Sequence, residues 1–306
     1  MIRRNFIKKG IMAAAFPLVP AQGNGMHEDD LSVPKADNNI KLSLNAYSFH
    51  SLLSKGEMSL EDLFRYCSQL GFPGVDLTAY YFQGYPEVPE DRLLYETKNR
   101  ATRQGLHISG TGVRNDFTLR DKTERRKEVE LVKNWILAAS KLGAPVIRIF
   151  SGTQHVEPEA WDEVAMWMVE DVLECVEFGK EHGVIVAMQN HNDFIKTADQ
   201  MNYFFRQIDS PWFGQILDIG SYSKLDSYEE IKKNIGHAVS WQIKEMVNHF
   251  GEQKEVDLLK LMGIIKNSNY HGYLPIETLG PGDPYEKVKN FLVAVKAAMK
   301  TEGLYE

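Results

Sequence analysis

The chain has 306 residues, 43% of them hydrophobic and 25% charged, with a formal net charge of −7. These proportions describe a globular protein with enough apolar material for one large core, and no run of 18 or more apolar residues marks a membrane-spanning helix. The acidic balance argues against a nucleic-acid groove or an anionic membrane surface, so the expected partner is a small molecule.

Residues 1–25 stand apart: "MIRRNFIKKG" is a basic leader with an arginine pair, "IMAAAFPLV" a short apolar segment, and "PAQG" a run of small residues suited to cleavage. The pattern Arg3-Arg4-x-Phe6-Ile7-Lys8 resembles a twin-arginine export signal, which predicts a periplasmic protein without a lipid anchor. Cleavage would remove Arg3, Arg4, Lys8 and Lys9 and no acidic residue, leaving the remainder more acidic still. Residues 26–39 form a polar linker, and residues 40–306 a single domain.

Within that domain short apolar runs alternate with longer amphipathic ones. Strands are expected at 42–49, 74–80, 106–112, 145–152, 184–191, 214–220, 238–245 and 272–278. Helices between them include 59–71, 122–143 and 157–183, with a capping box at Ser59 and Asp62 and helix-closing glycines at 71, 105, 143 and 183. Cys67 and Cys175 fall in helical apolar patterns and read as buried free thiols. Eight βα units in about 265 residues match a (β/α)8 TIM barrel, and no glycine-rich nucleotide turn follows any strand, so no nucleotide cofactor is expected.

In such a barrel the chemistry sits at the C-terminal strand ends. Those ends are unusually polar here: Asn45 and Tyr47, Asp76 and Tyr80, Arg114 and Asn115, Arg148, then Gln189, Asn190 and His191, Asp218, Gln242 and Lys244, and Glu277. A polar pocket of this kind suits a carbohydrate. Tyr47, Arg114, Asn115, Arg148 and Asn190 are candidate substrate contacts, and Tyr47, Tyr80, Tyr81 and Phe82 a candidate stacking wall. Gln189, Asp218, Gln242 and Glu277 come from four successive strands; their oxygens could hold a hard divalent cation, Mn, Mg or Ca, or bind sugar hydroxyls directly.

Four short signatures in the second half resemble the sugar phosphate isomerase/epimerase family of xylose isomerase-like barrels. Gln189-Asn190-His191 stands where that family has Glu-Asn-His, and Asp218-Ile219-Gly220-Ser221 where it has Asp-Ile-Gly-His. Gln242-Ile243-Lys244-Glu245 replaces His-x-Lys-Asp, while Gly272-Tyr273 followed by Glu277 keeps the family frame. The resemblance implies a metal-assisted proton transfer next to a sugar carbonyl, with two of the four usual metal ligands changed. An amide cannot serve as a base, so Gln189 removes one of the two carboxylates a two-base epimerisation uses. Glu277 is then the expected base, with His191 and Lys244 as further catalytic candidates. Isomerisation, β-elimination and enol hydration stay open, as does a non-catalytic carbohydrate-binding barrel.

Overall fold

A computed structural model describes residues 40–191 and 194–305. The expected leader (1–25), the linker (26–39) and Asp193 lie outside the described residues.

Eight parallel strands close into a barrel: β1 (Lys41–Asn45), β2 (Gly74–Thr78), β3 (His107–Gly112), β4 (Val146–Ile149), β5 (Ile185–Gln189), β6 (Phe213–Asp218), β7 (Ala238–Lys244) and β8 (Tyr273–Glu277). Closure is made by β1 against β8, with Lys41 opposite Tyr273 and Leu44 opposite Ile276. The period of two along each strand sends one set of side chains outward and the other inward. Leu42, Leu44, Val75, Leu77, Ile147, Ile149, Val186, Met188, Leu217, Trp241, Ile243, Leu274 and Ile276 join the buried apolar layer shared with the helices. Each such aliphatic side chain contributes about 1.5–3 kcal/mol of burial. Val146, Ala187 and Ile216 form a small separate cluster. The alternate positions nearer the strand ends are the polar ones, so the pleat that builds the core also gathers the polar residues at one mouth.

Helix ends follow the residue chemistry. The Ser59 hydroxyl accepts from Asp62 N (3.1 Å) and the Asp62 carboxylate accepts from Ser59 N (3.1 Å), the reciprocal box expected there. Gly71, Gly105, Gly143 and Gly183 all have φ between +69° and +76°, the left-handed region that ends a helix. Cys67 and Cys175 are buried and free.

Two departures matter for the mouth. The first strand ends at Asn45, short of the expected 49. The Asn45 side-chain oxygen accepts from Tyr47 N (2.9 Å) and turns the chain into a 3-10 turn, Ala46–Phe49, which carries Tyr47. An unexpected antiparallel ribbon, Met246–His249 with Glu252–Glu255, follows β7. Its two-residue turn, Phe250 (φ 52°) and Gly251 (φ 82°), is left-handed at both positions, as a tight hairpin requires. Glu252–Glu255 is exposed throughout and has no apolar alternation, so periodicity gave no sign of it.

Candidate active site

A cavity of about 350 Å³ opens at the C-terminal end of the barrel. Its floor comes from β5 to β8. Strand pairing sets Asp218 opposite Gln242 and Lys244 opposite Glu277, which brings four side chains from three strands together.

Asp218 is wholly buried and saturated with donors: Gln189 Nε2 (2.7 Å), Lys244 Nζ (2.7 Å), the Ser221 hydroxyl (2.8 Å) and Gly220 N (2.9 Å). Glu277, only 5% exposed, meets Lys244 Nζ at 3.5 Å. The two carboxylates are therefore tuned in opposite directions. Burial works against charge on Asp218, but Lys244 and the Ser221 hydroxyl outweigh it and hold the carboxyl below its ordinary value. For Glu277 burial wins, aided by the charge on Asp218, and the carboxyl is raised despite Lys244 and Arg148. Burial likewise works against charge on Lys244, yet Asp218 and Glu277 keep its ammonium firmly protonated.

The wall comes from β1 to β4. Arg148 is buried; its guanidinium donates to the Tyr80 hydroxyl (2.5 Å), Val113 O (3.3 Å) and Gln189 Oε1 (3.3 Å), and lies 4.2 Å from the Phe150 ring centre. It passes directly over Gly112, where an added Cβ would sit 2.5 Å from Arg148 Nε; the missing side chain is what lets the guanidinium reach the cavity. Burial pushes the Asp76 carboxyl on β2 up to about 7, with Arg148 opposing and Glu277 adding to the rise. Tyr47 stacks on His50 (4.6 Å), and His50 Nδ1 meets the Tyr81 hydroxyl at 3.1 Å.

A family model described as a xylose isomerase-like TIM barrel matches residues 64–295. The chain belongs to that family. Among solved structures this xylose isomerase-like barrel is similar to a xylose isomerase domain protein from Planctomyces limnophilus, with TM-score 0.68 and 15% identity over 87% of this chain and 98% of that one. It is also similar to the D-psicose 3-epimerase of Clostridium cellulolyticum H10, solved with D-tagatose (TM-score 0.69, 15% identity, 85% and 99% covered). A third is the 3-keto-D-glucoside 4-epimerase of E. coli (TM-score 0.66, 14% identity, 85% and 99% covered). At these identities the likeness is one of fold. Among curated proteins none matches this chain significantly.

Of the residues expected at the site, the barrel brings Tyr47, Arg114, Arg148, Gln189, His191, Gln242, Lys244 and Glu277 to the cavity lining, with Asp218 directly beneath. His191 stands edge-on to Phe150, their ring centres 4.9 Å apart. Two expected substrate contacts do not reach the cavity. Asn190 is fully buried; its side chain accepts from Asp218 N (2.9 Å), donates to Asp218 O (2.9 Å) and accepts from Gln215 Nε2 (2.8 Å). Asn115 does the same for Phe150, donating to its O (2.8 Å) and accepting from its N (2.9 Å). Each amide imitates the next rung of a strand ladder, holding a wall or floor residue in place, and spends these hydrogen bonds inside the protein rather than on the cavity. Phe82 also leaves the expected stacking wall, being buried against Trp135 (5.7 Å). Phe150, Thr78 and Thr153 line the cavity without having been singled out. Phe150 was recoverable, since it lies two residues after Arg148 and so shares its face.

Among the described residues no group of three or more His, Cys, Asp or Glu side chains is arranged as a metal site. The oxygens nevertheless converge. With its amide oxygen accepting from Gln189 Nε2 (2.7 Å), Gln242 sets that oxygen 3.0 Å from Glu277 and 3.2 Å from Asp218. Turning the amide lets its nitrogen donate to both carboxylates, but then leaves two amide nitrogens 2.7 Å apart. In the first orientation three oxygens, from Asp218, Glu277 and Gln242, crowd one point and suit a hard cation, whereas Gln189 turns its nitrogen to them and its oxygen to Arg148 and would join such a site only with its amide turned. Lys244 is the competing cation already in hydrogen-bonding reach of both carboxylates.

Proposed function

We propose that this chain is an exported carbohydrate-active enzyme that enolises a sugar or keto-sugar, with Glu277 as the base. The supporting observation is the contrast between two neighbouring carboxylates. Asp218 has four donors and a lowered pKa, whereas Glu277 lines the cavity with a longer contact to Lys244 (3.5 Å) and a raised pKa. Environments that push paired carboxylates apart assign one as fixed anion and the other as proton acceptor.

In this reading the Glu277 carboxylate takes the proton α to the carbonyl, the C–H electron pair forms the C=C bond of the enolate, and the carbonyl π pair moves onto the oxygen. Lys244 supplies positive charge at the floor, and the Arg148 guanidinium supplies N–H donors from the wall. Gln189 and Gln242 orient hydroxyls and move no proton. Return of the proton to the neighbouring carbon gives isomerisation; loss of a β-oxygen substituent gives elimination. Asp218, Glu277 and the amide oxygens of Gln189 and Gln242 are the groups that would hold Mn, Mg or Ca, and such an ion would polarise the same carbonyl. His191, at the cavity edge, is the remaining group for a second proton transfer.

Solvent exchange tests the chemistry. In D2O, NMR is expected to show loss of the α-proton signal from one of a panel of free keto-sugars and 3-keto-glycosides with the native enzyme. Glu277→Gln should slow that exchange by about 10²–10⁴-fold. Because the base must be ionised, the rate should climb with pH through a value above the ordinary 4.5 of a glutamate. Saturable sugar binding with no exchange at any pH would leave a binding barrel as the better reading. Export through residues 1–25 predicts a shortened chain in the periplasm; retention of the full-length chain in the cytoplasm would defeat that part.

A further inference from the structure

The cavity is electrically uneven from floor to rim. At the floor Lys244 offsets Asp218 and Glu277. At the rim stands Arg114, exposed and lining the same cavity. Two contacts fix its place: its backbone N–H donates to the Tyr85 hydroxyl (2.8 Å), and its guanidinium lies 5.1 Å from the centre of the Tyr80 ring. The same ring carries Arg148 at 5.5 Å, so one tyrosine seats two guanidinium groups.

Among the described residues no carboxylate forms an ion pair with Arg114, and the acid nearest in sequence is committed elsewhere. Asp116 accepts from the Thr118 hydroxyl (2.5 Å) and N (2.9 Å), the Thr153 hydroxyl (2.9 Å) and Gln154 Nε2 (3.0 Å), all neutral donors. His50 feels the charge: burial first, and then Arg114, lowers its pKa. The glycine-rich turn after β8 offers no rival anion site, because Asp283 already caps the helix that follows, accepting from Tyr285 N (3.0 Å). A planar guanidinium held by an aromatic face, lining a polar cavity and with no carboxylate partner among the described residues, is matched to a carboxylate or phosphate oxygen pair.

We propose that Arg114 selects an anionic sugar, a sugar acid or sugar phosphate, whose charged group docks at the rim while its carbonyl end lies over Glu277. This rests on the reading of the cavity as a sugar site and adds the charge of the substrate to it.

The test is calorimetric titration of the full chain with matched sets of probes: hexoses, the corresponding uronates and the corresponding 6-phosphates. Uronates are expected to bind about tenfold more tightly than their neutral counterparts at low salt, and Arg114→Gln should abolish that preference. Arg114→Lys should restore part of it, and Glu277→Gln should leave it in place. Tighter binding of the 6-phosphates than the uronates, again lost in Arg114→Gln, supports the anionic class with phosphate as its source. Equal binding of neutral and charged sugars, a preference that survives Arg114→Gln, or no binding by any probe would overturn the proposal. Charge-selective binding without solvent exchange would remove the enolisation reading and leave this one standing; exchange of neutral keto-sugars with Arg114→Gln unaffected would do the reverse.

Discussion

The two halves of the barrel mouth are built from different materials. Strands β5 to β8 supply carboxylates, amides and an ammonium that bond chiefly to one another and are nearly excluded from water. Strands β1 to β4 supply aromatic rings and guanidinium groups, several carried on the turns beyond the strand ends and partly exposed. Proton transfer needs charges whose neighbours are fixed and poorly solvated, because only then do their pKa values move far enough to be useful. Recognition needs surfaces that a ligand can reach. One fold meets both needs by putting the first set on strands and the second on the turns beside them.

The largest test of the contrast is Lys244→Met. It leaves two buried carboxylates without their shared cation, and urea denaturation at neutral pH should show a loss of about 3–5 kcal/mol. The pH dependence follows from the directions already given. Asp218 has a lowered pKa, so the stability it contributes with Lys244 is present above the ordinary aspartate value of 3.8 and fades as pH falls through its folded value. The gap between Lys244→Met and the native protein should therefore narrow in acid. A gap that is equal at acid and neutral pH would show that the ammonium is not the partner of the floor.

Asn190→Ala comes next. It removes an amide that holds both backbone groups of Asp218 and leaves buried groups unpaired, for a cost of about 1–3 kcal/mol. Asn115→Ala, the same device on the wall side, should cost less, because Phe150 is only partly buried. Equal costs would mean that the two halves are packed alike.

Tyr80→Phe is the mildest change. The ring stays and the hydroxyl that accepts from Arg148 goes, but Val113 O and Gln189 Oε1 still accept from the guanidinium, so stability should fall by only about 0.5–1 kcal/mol. Substrate affinity should fall while the pH at which activity rises stays put, since Glu277 keeps its surroundings. A shift of that pH limb would show that wall and floor are coupled.

Legibility differed along the same line. The eight strands were readable because the barrel needs an outward apolar set at every second position, a pattern that survives in one dimension. Gln189, Asp218, Lys244 and Glu277 were readable because a polar residue ending an apolar strand is costly unless it has partners or water. Asn115 and Asn190 looked like the same signal and were not. Whether an amide faces a cavity or clamps a backbone depends on the neighbouring strand, which is 35 residues distant for Asn115 and 28 for Asn190. The exposed Glu252–Glu255 strand carried no pattern at all, since its pairing rests on backbone hydrogen bonds and a turn.

By itself, then, the sequence determined the barrel, its strand count and which strand ends are polar, because periodicity and burial act locally and leave their mark residue by residue. The tertiary structure alone decided that Asp218 is saturated while Glu277 is not, that Gly112 makes room for Arg148, and that among the described residues no carboxylate pairs with Arg114. Each of those depends on distances between side chains from different strands, and such distances are set only when the barrel closes.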